Sequence, residues 1–436
     1  MMCPCFQNQL VFVYSLYSFG KNYRYIIFFS FFEYALAMES LRYLYRIGTG
    51  PSSSHTMGPR AAALAYLEKY PDAKECKALL FGSLAATGKG HLTDQAIRKV
   101  FADAKKPVEI IWHPDQFKPF HPNAVTFVSD QGEKTYYSVG GGRIVEEGQP
   151  MEPESSLYPA QLCSMQEILS YCDQEGLQLW EFVLHAEGAD IMDYMKEVWD
   201  VMCKAVKEGL SNEGVLPGGL RLQRKAAQYH AKAQRLSGRA GRSAELISYA
   251  LAVSEQNASG GQIVTAPTCG SCGVLPSILY YMKNNLRIAE SRILRALLTA
   301  GLVGNLVKTN GSISGAEVGC QGEIGVACAM GGAAATQLLG GTNHQIEYAA
   351  EMGLEHHLGL TCDPMLGLVQ IPCIERNAMA AMRALDISTY AQLGDGRHKV
   401  SFDNVIKVMM ETGQAIPSLY RETSLAGLAS LRDNVQ

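Results

Sequence analysis

The chain has 436 residues, 47% of them apolar and 18% charged, which excludes a disordered protein and leaves room for two or three domains with real cores. A formal net charge of −4 gives no electrostatic reason to expect nucleic acid or an anionic membrane as a partner, so a small-molecule substrate fits better. Twelve cysteines spread over this length do not suit a disulfide-stapled secreted module. A reducing, cytoplasmic setting fits them, with thiols either buried as small apolar fillers or kept for metal and redox chemistry.

The first 37 residues stand apart, holding 12 of the 38 aromatic residues and a single acid, Glu33. Their two apolar runs, Leu10–Phe19 and Tyr25–Ala37, fall short of the ~18 residues a spanning helix needs. Ordinary soluble sequence begins at Met38, and residues 1–37 read as a non-native leader from a misassigned start, with a membrane anchor as the minor alternative. Residues 38–150 mix a helix over Ala61–Tyr70 with short β-rich runs ("ALLFGSLAA", "EIIWHP", "AVTFVSD", "KTYYSVGGGRIVEE") and predict an α+β domain. Residues 151–190 read as a linker region, opened by the Pro-rich and acidic "GQPMEPESS". From 191 to 436 helix formers dominate, predicting a larger all-α C-terminal domain. Within it, Leu220–Asn257 reads as helix broken near Gly238 and Gly241. Thr342 and Gln345 form a capping box for a helix ending near Gly359. The small-residue run "GEIGVACAMGGAAATQLLGG" predicts a helix at the centre of that domain, because only tight neighbours stabilise it.

Three cysteines are candidates for chemistry: Cys320 in "EVGCQGE", Cys362 in "LTCDPM" and Cys373 in "IPCIERN". Each lies beside Gly or Pro with a carboxylate within three positions, a setting whose free backbone N–H groups stabilise thiolate or sulfide. Their spacings of 42 and 11 residues match no compact zinc or ferredoxin pattern, and Cys also packs well as a buried filler. The residues alone leave both readings open.

The segment "GPSSSHT" is the candidate for substrate handling: Ser52, Ser53, Ser54 and Thr56 offer hydroxyls, and His55 is an acid or base near neutral pH. An ordinary helix N-cap explains the same serines, and a cap with free N–H groups also receives carboxylates. Gly141 and Gly142 either let substrate approach the backbone or form a hairpin turn. Arg376 is a candidate for the substrate carboxylate or for a structural ion pair. His356 and His357, neighbours on a helix, point different ways and read as packing or surface groups, and Asn310 reads as a turn residue.

The run from "SGAEVGCQGEIGVACAMGG" through "GLTCDPMLGLVQIPCIERN" closely resembles the α part of bacterial iron–sulfur L-serine dehydratases. "GTGPSSSHTMGPRAAA" at Gly48–Ala63 resembles the β part, with further matches at "FHPNA", "SVGGG", "TAPT" and "GDGRHKVSFDNVI". The resemblance covers residues 38–436 in β-then-α order. It implies a [4Fe–4S] cluster on Cys320, Cys362 and Cys373, no pyridoxal phosphate, and water elimination from L-serine to give pyruvate and ammonia. His55 is the candidate base, with a hydrogen-bonding orienter as the alternative. Ser52, Ser53, Ser54, Thr56, Gly141, Gly142, Thr268 and Arg376 are the candidates around the substrate, and the expected assembly is a homo-oligomer, as a dimer. Two features depart from the family: no Cys follows Cys373, where many members carry a C-terminal Cys that covers the open iron, and "TCGSCG" places Cys269 and Cys272 where Asn and Ala are common. That pair is expected as a thiol near the fourth iron, a redox dithiol or simply buried thiols. A pyridoxal-phosphate dehydratase and a non-catalytic amino-acid sensor are the competing functions.

Overall fold

The structure, a computed structural model, describes residues 38–149, 157–422 and 426–431. The leader assigned to residues 1–37 lies outside them.

The alternating apolar runs of the N-terminal part form a five-stranded sheet. In chain order the elements are β1 (Ile47–Thr49), α1 (Gly58–Lys69), β2 (Cys76–Phe81), α2 (Gly82–Ala86), α3 (Thr93–Asp103), β3 (Val108–His113), β4 (Asn123–Ser129), β5 (Gly132–Gly140) and β6 (Arg143–Glu146). The sheet order is β3-β2-β4-β5-β6, with β2 and β3 parallel and every other pair antiparallel. Tyr66 of α1, Phe101 of α3, Leu80, Phe127 and Tyr136 make its core. The run "ALLFGSLAA" is a strand only to Phe81. Gly82, at φ +55, turns the chain into α2, and a Cβ there would sit 2.4 Å from the Pro122 carbonyl oxygen.

The helical part follows as α4 (Met165–Glu175), α5 (Leu179–Glu187), α6 (Ile191–Ser211), α7 (Ala226–Ala233), α8 (Gly238–Ala258), β7 (Gln262–Val264), α9 (Val274–Asn284), α10 (Glu290–Asn310), α11 (Gly315–Val318), α12 (Ile324–Leu338), α13 (Asn343–Glu355), α14 (Cys373–Leu393) and α15 (Phe402–Ala415). The predicted linker 151–190 is corrected here: residues 165–187 are α4 and α5, opened by a capping box of Ser164 with Glu167. Met165, Ile168, Leu169 and Cys172, spaced as one helix face, are buried in the helical core, and that periodicity outweighs the polar content around it. Gly238 (φ +61) opens α8 where a break was expected, and Thr342 with Gln345 caps α13. Among the described residues no helix is long and apolar enough to cross a membrane.

The two parts are not separable at residue 150. Met38, Leu41, Leu44 and Tyr45 are fully buried in the helical core, and β1 pairs antiparallel with β7. The described residues from 38 onward form one compact unit. This seam between sheet and helices positions the site.

Helix α12 is buried throughout from Ile324 to Thr336 and packs on α10, α13 and α14, as its small side chains require. A Cβ on Gly353 of α13 would stand 2.6 Å from Ala329 Cα, a backbone atom that cannot step aside. Gly353→Ala is therefore expected to destabilise the fold by about 1–3 kcal/mol, the usual cost of overpacking, read as a lower urea midpoint.

Helix α13 also stacks Glu347, Glu351 and Glu355 at i, i+4 spacing. Burial, with the charges of Glu355 and Glu347, pushes the Glu351 carboxyl up to about 8. Its folded-state pKa thus lies above that of the unfolded chain. The stability it supports is complete below about pH 4 and is lost as pH rises through 8. Glu351→Gln is expected to flatten the decline in urea midpoint between pH 5 and 9.

Candidate active site

Ser52 opens the chain into the π-type turn Ser53–Met57 that leads into α1. Its Oγ accepts the His55 N–H at 3.0 Å, and its own N–H donates to Thr56 Oγ1 at 3.1 Å. Thr56 in turn donates to the His91 carbonyl at 2.7 Å, and Thr93 Oγ1 donates to the His55 carbonyl. The hydroxyls of Ser52 and Thr56 are thus committed to shaping the loop. All five residues from Ser52 to Thr56 are buried, with Ser53 and Ser54 beside the fully buried His55.

The tautomer of each histidine follows from its neighbours. Ser83 Oγ donates its proton to the Glu422 carbonyl at 2.7 Å, so it can only accept from His55 Nε2 at 3.2 Å. Nε2 of neutral His55 carries the proton, and Nδ1 presents a lone pair 3.3 Å from Glu422 Oε1. Thr87 Oγ1 likewise donates to the Ser83 carbonyl, so it accepts from His91 Nδ1 at 3.0 Å and leaves His91 Nε2 as a lone pair. His121 is the reverse case. Its Nδ1 accepts the Asn123 N–H at 3.1 Å, so Nε2 bears the proton, 3.6 Å from Glu317 Oε1. Burial holds His91 and His121 below the ordinary imidazole range, which keeps both neutral.

Several buried polar atoms along this seam have no hydrogen-bond partner among the described residues: His55 Nδ1, His121 Nε2, both side-chain atoms of Asn123, Ser138 Oγ, Ser314 Oγ and Glu422 Oε2. Native interiors rarely leave such atoms unmatched, and a ligand is one reason they do. Gly141 (φ +58) and Gly142 (φ +85) form the β5–β6 hairpin turn, with Gly141 packed against Ile313 beside Ser314.

Cys320, Cys362 and Cys373 arrive from three separate segments and interact with one another. A hydrogen bond from the Cys362 thiol, with the Arg376 guanidinium nearby, pulls Cys320 down to about 6. The same bond and burial push Cys362 up, and burial beside Cys320 raises Cys373. Arg376 feels all three sulfurs, donates to the Thr361 carbonyl at 2.8 Å and lies 3.8 Å from Asp363. Three free thiols, those of Cys320 and Cys362 buried and that of Cys373 half-buried, with one adjacent cation and an N–H of Ile324 directed at Cys320, make a donor set suited to an anionic iron–sulfur group. Thr268 Oγ1 donates to Glu323 Oε1 at 2.6 Å, and Glu323 Oε2 lies 3.9 Å from Cys362 Sγ. Burial and the Cys320 charge raise the Glu323 carboxyl well above its usual range. Cys269 and Cys272 are buried, and burial holds both as thiols. Cys269 Sγ faces Met57 Sδ at 3.5 Å.

The sequence reading missed His91, Ser83, Glu317 and Glu422 as site residues, and it quoted "FHPNA" without singling out His121 or Asn123. Glu317 did lie within three positions of Cys320, the only signal that pointed to it. Glu422 reaches the site from the C-terminal segment, where its N–H donates to the Cys362 carbonyl at 2.7 Å. It has φ +58, a strained value for a non-glycine residue that turns its side chain inward. A surface groove of about 1150 Å³ along α13 and α14 borders this seam, with Arg376 and Ile324 in its lining.

Comparison with known proteins agrees with this layout. The family model "Serine dehydratase beta chain" matches residues 40–105, and "Serine dehydratase alpha chain" matches residues 125–429. The chain belongs to the serine dehydratase family, with both parts in one polypeptide. It is 40% identical to the L-serine dehydratase of Streptomyces coelicolor, an alignment covering 88% of this chain and 97% of that protein. It is 41% identical to the L-serine dehydratase TdcG of Escherichia coli, over 88% and 97%. Identity to the L-serine dehydratase of Helicobacter pylori is 36%, over 90% and 99%.

Proposed function

We propose that this chain is an L-serine dehydratase that uses a [4Fe–4S] cluster held by Cys320, Cys362 and Cys373. When bound, the cluster supplies a Lewis-acidic iron for the substrate hydroxyl, a poor leaving group otherwise. His55 takes the α-proton on Nδ1, the nitrogen its neighbours leave bare. His121, with its proton on Nε2, donates a hydrogen bond or a proton to a substrate oxygen. Arg376 offsets thiolate charge, and Glu323 lies against Cys362 with its carboxyl held by Thr268. Loss of the α-proton and of the hydroxyl as water leaves aminoacrylate, which tautomerises and is hydrolysed to pyruvate and ammonia.

The observation that carries this reading is the meeting of three thiols with a buried, lone-pair-bearing imidazole on one seam. The test is iron and sulfide content of anaerobically prepared protein together with pyruvate release from L-serine. Cluster-loaded protein that binds serine without yielding pyruvate refutes the reading in favour of a sensor. Turnover that tracks pyridoxal phosphate instead of iron refutes it in favour of a pyridoxal enzyme.

A further inference from the structure

His55, His91 and Glu422 each contribute one ligand atom to a group in which all three lie within 4.8 Å of one another, and all three residues are buried. In the neutral tautomers that Ser83 and Thr87 set, the bare nitrogens of His55 and His91 are acceptors, and His55 Nδ1 lies 3.3 Å from Glu422 Oε1. The His55 and His91 rings stand 4.4 Å apart between centroids, with their protons directed away to Ser83 and Thr87. Glu422 adds a carboxylate whose Oε2 has no partner among the described residues. Two lone pairs and a carboxylate facing one point repel each other unless something positive, or rich in N–H groups, sits between them.

We propose that Glu422 and His91 bind the α-ammonium group of the amino-acid substrate, next to His55; the inference rests on the dehydratase reading above. A primary ammonium has three N–H donors in tetrahedral array. Acceptors about 2.8 Å from its nitrogen stand roughly 4.6 Å apart, a separation inside the 4.8 Å limit within which the three ligand atoms lie. The charge is of the right sign, and the bonds are charge-assisted. Seating the nitrogen against Glu422 and His91 brings the α-carbon, one bond away, to His55 Nδ1. A divalent metal fits the same donors, two imidazoles and a carboxylate. It would, however, hold permanently the lone pair that proton abstraction requires, whereas an ammonium brings its own protons and leaves with the product.

The other groups described at the site are engaged differently: Arg376 is a cation beside the sulfurs, His121 Nε2 is a donor facing Glu317, and Glu323 accepts from Thr268. The nest also explains why Glu422 holds a left-handed backbone: its N–H is fixed to Cys362 and its carbonyl to Ser83, so its side chain points between the two histidines.

The test uses anaerobically prepared, cluster-loaded enzyme and two ligands that differ only in the amino group, L-serine and 3-hydroxypropanoate. In Glu422→Gln and, separately, His91→Gln, the calorimetric Kd of L-serine is expected to weaken about 10- to 100-fold, the loss of one charge-assisted bond. The Kd of 3-hydroxypropanoate is expected to change less than about threefold. Equal weakening of both ligands, or unchanged serine binding in both variants, overturns the proposal. So does one equivalent of Zn²⁺ that binds the wild-type enzyme, is lost in His91→Gln and is not displaced by serine. If wild-type enzyme binds serine and makes no pyruvate, the dehydratase reading fails while the ammonium site is still decided by the binding data.

Discussion

Replacing Cys362 with Ala is expected to strip the anaerobically purified protein of most of its iron and sulfide and to lower pyruvate formation at least about 1000-fold. The reason is geometric. Cys362 sits in a short loop pinned on both sides: its N–H and carbonyl pair with Tyr420 and Glu422, and Asp363 next to it accepts from Thr361 and from the Leu428 N–H. No other cysteine shares that loop, so another thiol has no backbone freedom to take its place. Cys320→Ala and Cys373→Ala should behave alike, since each is the sole thiol its segment brings to the seam. The double variant Cys269→Ala/Cys272→Ala is the informative contrast. Those thiols are buried, and Cys269 faces a methionine sulfur, so the variant is expected to lose about 1–3 kcal/mol of stability while keeping its iron. Equal iron loss in that variant would mean the pair supports the cluster.

The outline of this site was legible in the chain, and its electrostatics were not. Gly and Pro around Cys320, Cys362 and Cys373 announce turns with exposed N–H groups, and the run before α1 announces an N-cap. Both signals are local, so they survive in one dimension. What the chain hides is the fate of each hydroxyl. Ser52 and Thr56 look like substrate ligands but bond within their own loop and, through Thr56, to the His91 carbonyl. Ser83 and Thr87, unremarked in the sequence, decide which nitrogen of His55 and His91 is bare. Glu422 lies 367 residues from His55 in sequence (422 minus 55) and meets it only because the C-terminal segment pairs with the Cys362 loop. The assignment of 151–190 as linker failed for a related reason. The acids and prolines of 148–156 dominate the local composition, while the face of Met165, Ile168, Leu169 and Cys172 emerges only with helical phase. Likewise Met38–Tyr45 reads as the start of one domain and packs into the core of the other.

His55→Gln should lower kcat about 100- to 10,000-fold, the range general-base catalysis commonly contributes, with iron content unchanged. The substitution is chosen to separate chemistry from folding. A glutamine amide can still donate to Ser83 Oγ, as Nε2–H does, and so preserves the link that ties the loop to α2 and to the Glu422 carbonyl. It also retains a buried side chain of similar reach. What it cannot supply is a basic nitrogen at the position of Nδ1. Proton abstraction then becomes the slow step, and α-deuterated serine should react several-fold more slowly than protiated serine, while the Kd of L-serine moves little. A purely structural role predicts another pattern: lower iron content, weaker serine binding and no change in the isotope effect. If His55→Gln keeps kcat within about tenfold of wild type, the base lies elsewhere. His121 would be a poor replacement, because the Asn123 N–H occupies its Nδ1 and its Nε2 already carries the proton. A base must offer a lone pair where the α-hydrogen lies, and of the two imidazoles assigned to proton transfer only His55 does so in its neutral form.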